Sequence, residues 1–269
     1  MQRHYSLAQL TTLSLAPPAM IETAARAGYE GCGLRLLPFT PDGVAYDLMA
    51  DAPLLRETLA AQRDTGVRVG DLEIIRLNER FDVAAYGAFF EVAQRLGAEN
   101  VLVAGEDPDE GRLTESFARL CEAAGSHGLT VDMEFMPWLA VDRLSRARRV
   151  IEAAGRDNGG VLIDPLHFAR SASTLEELAE LPGARVHYAQ ICDAPAGIPA
   201  TTAEMIHTSR CARLLPGEGD IALGEIFARL PRDIPISIEI PNDARLAEMG
   251  PEAWARRCLE ASKRFFDAG

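Results

Sequence analysis

Lysine is almost missing from this chain: 26 of its 27 basic residues are arginine, and the one lysine is Lys263, close to the end. Schiff-base chemistry would have to use a side chain on the last helix, so lysine-based aldol and cofactor chemistry are set aside. The five cysteines (Cys32, Cys121, Cys192, Cys211, Cys258) are odd in number, scattered and free of any C-x-x-C. That argues against a disulfide or zinc framework and for reduced thiols in a cytoplasmic protein. No apolar run approaches the ~20 residues needed to span a bilayer. The opening Met1-Gln2-Arg3-His4 lacks the features of a secretory signal. Nucleotide-binding glycine motifs are missing too. Gly28, Gly31 and Gly33 precede and enter a strand instead of opening a helix, and no P-loop occurs.

Positive charge is also short. Against 27 Lys+Arg stand 40 Asp+Glu, a formal balance of −13. Duplex affinity comes largely from neutralising phosphates, so a nucleic-acid partner is not expected. An anionic membrane surface is disfavoured for the same reason. At 48% hydrophobic and 25% charged, the composition is that of an ordinary globular protein.

Short apolar runs alternate with amphipathic segments from end to end. Strands are predicted over Tyr5–Leu10, Gly31–Leu36, Val69–Ile75, Asn100–Ala104, Leu129–Phe135, Gly160–Asp164, Arg185–Ile191 and Ile234–Ile240. The first four helices are predicted over Ala19–Ala27, Ala52–Thr65, Val83–Leu96 and Thr114–His127. Four more follow over Arg143–Ala154, Leu175–Leu181, Leu223–Leu230 and Glu252–Phe266. Gly28, Gly66, Gly97 and Gly128 each close a helical pattern, as a C′ glycine would. Strands alternating with helices eight times over predict a single (β/α)8 TIM barrel spanning residues 1–269.

In such barrels the site forms where strands end. Four consecutive strands each offer one oxygen-donating side chain there: Glu134, Asp164, Gln190 and Glu239. Inward carboxylates are costly unless paired or metal-bound, and no lysine is at hand. A divalent cation is therefore expected, and an all-oxygen set favours Mg²⁺ or Mn²⁺ over Zn²⁺. Any one of these acids taken alone reads equally well as the cap of the next helix.

These residues give the chain a resemblance to the xylose isomerase-like TIM-barrel superfamily, the sugar phosphate isomerase/epimerase group. It extends over essentially the whole sequence. The resemblance implies one divalent metal on Glu134, Asp164, Gln190 and Glu239, and it includes the step Asp164-Pro165-Leu166-His167. The interval of 26 residues from Asp164 to Gln190 is similar to that in ketose 3-epimerases. Gln at the third position resembles hydroxypyruvate isomerases and some 3-dehydroshikimate dehydratases. Two substrate-binding positions of the ketose epimerases hold Ala140 and Ala196 here, against a free ketose as substrate. The related DNA-repair endonucleases need a histidine-rich site that His4, His127, His167, His187 and His207 cannot build.

The chemistry so implied is proton abstraction beside a metal-polarised carbonyl. Glu134 and Glu239 are the acid/base candidates. His167 either bonds a substrate oxygen and donates a proton, or orients Asp164. The substrate would be a small polyhydroxylated sugar, sugar derivative or keto acid. Isomerase or epimerase is the first expectation, a dehydratase of the 3-dehydroshikimate type the second. A non-catalytic sugar-binding barrel or lyase subunit is the third. Dimers and tetramers are common in the family.

A long connection from Asp193 to about Asp220 suggests a lid or binding loop. In it, Arg210 with His207 could receive a carboxylate or phosphate, with Arg35 as a second anionic clamp. Arg210 and Arg35 read also as solvated surface. Asp71 and Glu73 share one face of strand three; Glu73 either faces the mouth or pairs with Arg35 or Arg76. Phe39 and Trp138 would wall the pocket.

Overall fold

The computed structural model describes residues 3–40 and 42–268. The first half of the chain runs β1 (Tyr5–Leu7), α1 (Pro17–Ala27), β2 (Gly31–Arg35), α2 (Ala52–Thr65), β3 (Arg68–Leu77), α3 (Gly87–Leu96), β4 (Asn100–Gly105) and α4 (Glu110–Gly125). Next come β5 (Thr130–Glu134), α5 (Leu144–Ala154), β6 (Gly159–Leu162), α6 (Pro165–Arg170) and α7 (Leu175–Ala179). The chain finishes with β7 (Ala189–Ile191), α8 (Thr202–Cys211), α9 (Leu223–Phe227), β8 (Ile236–Ile238), α10 (Asp243–Met249) and α11 (Pro251–Ala268).

All eight strands are parallel, ordered β6-β5-β4-β3-β2-β1-β8-β7. A parallel bridge between Ile163 and Ala189 joins the two ends and closes the (β/α)8 barrel. The main core lies between strands and outer helices. Leu7, Leu34, Val69, Val101, Val131 and Ile236 supply the strand side of it. A second, smaller cluster fills the bore with Ile74, Leu102, Leu162 and Tyr188. The bore is thus a packed core, and the upper mouth sits on an apolar floor.

Local chemistry explains the boundaries. Gly28, Gly66 and Gly97 end α1, α2 and α3 with φ of 94°, 75° and 63°, the left-handed cap that a Cβ would strain. The predicted helix over 83–96 opens instead as a 3-10 turn, Val83–Tyr86, started by the Asp82 carboxylate accepting from the Ala84 N–H. The predicted strand over 185–191 shrinks to Ala189–Ile191, because Arg185 turns back to donate to the Gly159 carbonyl at 2.9 Å.

Three helices absent from the sequence reading, α6, α8 and α10, all lie in connections that follow strands. The long connection after β7 is thus not an open loop. Its middle is α8, opened by a capping box of Thr201 and Glu204. Its return is pinned by Asp193, whose carboxylate accepts from the N–H groups of Ala194, Gly217, Gly219 and Ile221 at 2.8–3.1 Å. Gly219 is needed there, since a Cβ would fall 2.3 Å from the Ala194 carbonyl oxygen.

All five cysteines are free thiols, four of them buried. Among the described residues no helix is long and apolar enough to cross a membrane.

Candidate active site and metal centre

A cavity of about 340 Å³ opens where the strands end, lined by Glu134, His167, Glu239, Arg35, Arg210 and Arg213 among others. Glu134 is the last residue of β5 and Glu239 the first beyond β8, and both are buried. Asp164 follows β6 and caps α6: its Oδ1 accepts from the Leu166 N–H at 2.7 Å. Pro165 at the first helical position fixes that start. One turn on, His167 Nε2 comes back to 3.7 Å from Asp164 Oδ2 and 3.6 Å from Glu134 Oε1. The ligand atoms of Glu134, Asp164 and His167 lie within 4.8 Å of one another.

Arg213 is the residue that sequence reasoning missed. Its guanidinium is buried among the acids, with Nη1 2.6 Å from Asp164 Oδ2 and Nη2 2.7 Å from Glu239 Oε2. Nε donates to the Ser209 carbonyl at 2.8 Å. The backbone delivers it there. Ala212 and Leu214 bridge to Asn242 and Asp193, so the segment leaving α8 is laced between the extensions of β7 and β8. The expectation that these acids have no cation in the protein is therefore corrected, because an arginine supplies one. Glu134, Asp164 and Glu239 carry three formal negative charges and Arg213 one positive. Two remain.

The electrostatics follow from that arrangement. Burial alone would raise Asp164, but Arg213 and His167, with the Leu166 N–H, hold it below the usual carboxylate range. Glu239 shares the same arginine yet is pushed up to about 7, because burial, with Glu73 and Asp164 nearby, outweighs Arg213. Glu134 is driven well up by burial and by the charges of Glu239 and Asp164. Burial lowers His167 to about 4, so its imidazole is neutral at neutral pH. Trp138 braces that ring edge-on at 5.2 Å.

Several buried polar atoms have no protein partner: Glu134 Oε1, His167 Nδ1 and Gln190 Oε1. Unpaired polar atoms inside a protein are costly. These donors, with two formal negative charges left over, fit a divalent cation. The residues able to hold one are Glu134, Asp164 and His167, drawn together here, with Gln190 buried on β7. Glu239 is turned to Arg213.

The other expected positions divide. Arg35 lines the cavity but is bound to Glu73, its Nε and Nη2 donating to Oε2 at 2.9 and 2.5 Å. Glu73 is fully buried in that pair, and neither it nor Gln190 lines the open cavity. Arg210 lies over the Phe39 ring at 4.9 Å, and Arg76 over the same ring at 5.3 Å. Arg76 is neutralised by two bonds to Glu106. Arg210 makes no ion pair among the described residues, and burial, with Arg35 and Arg76 nearby, disfavours its charge. His207, expected beside it, is exposed on α8 and does not line the cavity. Phe39 and Trp138 both line the wall.

Residues 21–265 match the family model of the xylose isomerase-like TIM barrel, and the chain belongs to that family. Two relatives are 3-dehydroshikimate dehydratases, from Pseudomonas aeruginosa and Pseudomonas putida. Each is 26% identical over 87% of this chain and 38% of its own length. The chain thus spans under half the length of those relatives. An inosose isomerase from Bacillus velezensis is 30% identical over 29% of each chain. Among solved structures, the IOLI protein with a binding zinc atom superposes with a TM-score of 0.81 at 19% identity, covering 98% of both chains.

Proposed function

We propose that this xylose isomerase-like TIM barrel is a divalent-metal-dependent enzyme that removes a proton beside a carbonyl, and that its substrate is a small cyclic keto acid which it dehydrates. The observation that carries the substrate class is Arg210. A guanidinium without a carboxylate partner, half-buried at the rim of the acid cavity, calls for an anion on the substrate. Inososes and free sugars carry none. The 3-dehydroshikimate dehydratases among the relatives act on a carboxylate that a side chain of this kind suits, and they align over most of this chain.

A divalent metal held by Glu134, Asp164 and Gln190, with His167 close to the first two and Glu239 staying on Arg213, would polarise the substrate carbonyl and acidify the neighbouring C–H. The Arg210 guanidinium fixes the substrate carboxylate at the rim. The ring then reaches down between Trp138 and Phe39 towards the acids, and these aromatics exclude water. Glu134 or Glu239 removes the proton next to the carbonyl. Poised near neutrality, Glu239 can hold a proton and return it, as an acid/base group must. His167, neutral and with Nδ1 unpartnered, donates a hydrogen bond to the departing β-hydroxyl, which takes the proton that Glu239 returns and leaves as water. The C–H bond and the C–OH bond break, one water leaves, and a ring already holding one double bond becomes aromatic by tautomerisation. Arg213 touches no substrate in this scheme; it holds Asp164 and Glu239 in place.

An isomerase reading has its own support in the inosose isomerase relatives, since the same proton removal followed by return at the adjacent carbon moves a carbonyl. One pair of assays separates the two. With Mn²⁺ or Mg²⁺, 3-dehydroshikimate should yield a rising ultraviolet absorbance from an aromatic product. Absence of that signal, with deuterium uptake from D₂O into an inosose or keto sugar, would replace the dehydratase by the isomerase. The variants Glu134→Gln and Glu239→Gln should lose activity and bind less metal. Full metal content with unchanged turnover in both would sink the site assignment.

A further inference from the structure

At the opposite, N-terminal end of the barrel lies a second cavity of about 120 Å³. Its walls include Asp71, Ser6, Ser237, Tyr188 and the backbone of Gly31 and Gly70. The apolar plug of Ile74, Leu102 and Leu162, with the Tyr188 ring, separates it from the upper mouth. Nothing in the proposed reaction uses it.

The sequence builds this space deliberately in one respect: glycines stand where side chains would fill it. Gly33 pairs with Asp71 across β2 and β3, and a Cβ on Gly33 would fall 2.5 Å from Asp71 Oδ2. Ser6 pairs with Gly31 on one side and Ser237 on the other. Its Oγ lies 3.4 and 3.5 Å from where Gly31 and Gly70 would carry a Cβ. The two serines therefore stand side by side over a floor of glycines, and the Asp71 carboxylate lines the same cavity.

The oxygens in this cavity lack protein partners. Tyr188 and Ser237 are 3% and 2% exposed, and the hydroxyls of both, like that of Ser6, have no hydrogen-bond partner. Asp71 is 3% exposed, and among the described residues its carboxylate forms no ion pair and no side-chain hydrogen bond. On the rim, His4 bonds Glu30, and Arg68 pairs with Glu99 at 3.3 Å. Neither pair offers a cation to Asp71.

We propose that Asp71, Ser6, Ser237 and Tyr188 form a site for one alkali cation, Na⁺ or K⁺, at the N-terminal end of the barrel. The donor set is entirely oxygen, which suits a hard cation, and its single carboxylate balances one positive charge. Mg²⁺ and Ca²⁺ draw on more carboxylates or on phosphate. At ~30 Å³ per water, the volume holds a cation with a few waters. Burial, with Glu73, Glu239 and Asp132 adding to it, pushes the Asp71 carboxyl well above the usual range, and a bound cation offsets that penalty. Placement at the end of the barrel remote from chemistry makes the ion a stabilising one.

Thermal unfolding of the metal-loaded protein in NaCl, KCl and tetramethylammonium chloride at one ionic strength tests this. A Tm several degrees higher in Na⁺ or K⁺ is expected, rising with the logarithm of concentration. Asp71→Asn should abolish the increment and Ser237→Ala should shrink it, the latter keeping Asp71 and the fold intact. Crystals soaked in Rb⁺ or Tl⁺ should show an anomalous peak beside Asp71. Equal melting in all three salts, an increment that survives Asp71→Asn, or no anomalous peak there would overturn the site and leave Asp71 a protonated carboxylic acid among waters.

Discussion

Replacing Arg213 by methionine is the most direct perturbation of the site that leaves every expected metal donor in place. The wild-type guanidinium satisfies Asp164 at 2.6 Å and Glu239 at 2.7 Å, all three side chains being almost fully buried. Removing one partner of a buried ion pair costs about 3–5 kcal/mol, because the other charge is left without compensation. The two carboxylates do not share that cost equally. Glu239, already near 7, can take up a proton and go neutral. Asp164 is held low and also caps α6, so most of the loss falls on it. For a chain of 269 residues, 3–5 kcal/mol lowers Tm by on the order of 10 °C. The variant should show that loss in EDTA. Adding Mn²⁺ should then raise its Tm more than it raises the wild type's, since three acids without Arg213 attract a divalent ion more strongly than three acids with it. Melting curves with and without metal, backed by calorimetric titration, read both quantities. Identical melting in EDTA, or a metal increment no larger than the wild type's, would refute the assignment of Arg213 as the internal counter-ion.

Arg210→Ala should lower kcat/KM for a carboxylate substrate by about 10- to 100-fold, the worth of a charge-assisted contact at 1.5–3 kcal/mol. It should barely change turnover of a neutral keto sugar, and an equal loss on both would remove the anion-clamp role. In the metal-free protein, Glu239 binds its proton more tightly folded, at about 7, than unfolded at ~4.3, so stability is lost as pH rises through that window. His167, about 4 when folded against ~6.5 unfolded, gains stability with rising pH over its own window and masks this below ~6.5. In EDTA the Tm should therefore fall from pH 6.5 to 8, and with saturating Mn²⁺ the fall should vanish; parallel profiles would count against metal displacing those protons. Gly219→Ala must push against the Ala194 carbonyl and the Asp193 carboxylate, 2.3 and 2.4 Å from the new Cβ. A loss of about 1–3 kcal/mol in urea denaturation is expected, and no loss would mean the loop relaxes freely.

The frame of this barrel was legible residue by residue. Apolar runs at the right spacing gave all eight strands, and Gly28, Gly66 and Gly97 marked the helix ends where a left-handed residue was needed. The polar residues closing β5, β6 and β8 stood out because a packed interior would not choose them. Both features are local: period and composition decide them within a dozen residues. The short helices α6, α8 and α10 were not legible, since six to ten residues in a connection carry too little periodicity to separate a helix from a turn. Arg213 had only a weak signal, an arginine set before Leu214-Leu215-Pro216 among apolar neighbours. Asp71 and Glu73 were seen to share a face of one strand, but their fates differ. Glu73 meets Arg35, whereas Asp71 meets glycines and hydroxyls.

Sequence by itself thus determined the architecture and the presence of acids around one end of it, because strand and helix formation depend on neighbours along the chain. Which charges cancel was decided only by tertiary structure. Asp164 and Arg213 stand 49 residues apart and Arg35 and Glu73 stand 38 apart, yet each pair is in contact. The β2–β3 register sets Arg35 beside Glu73, while closure of the barrel and the lacing of residues 212–214 between the extensions of β7 and β8 bring Arg213 to Asp164. The balance of charge at the site, and so its room for a metal and a substrate anion, is a property of that closure.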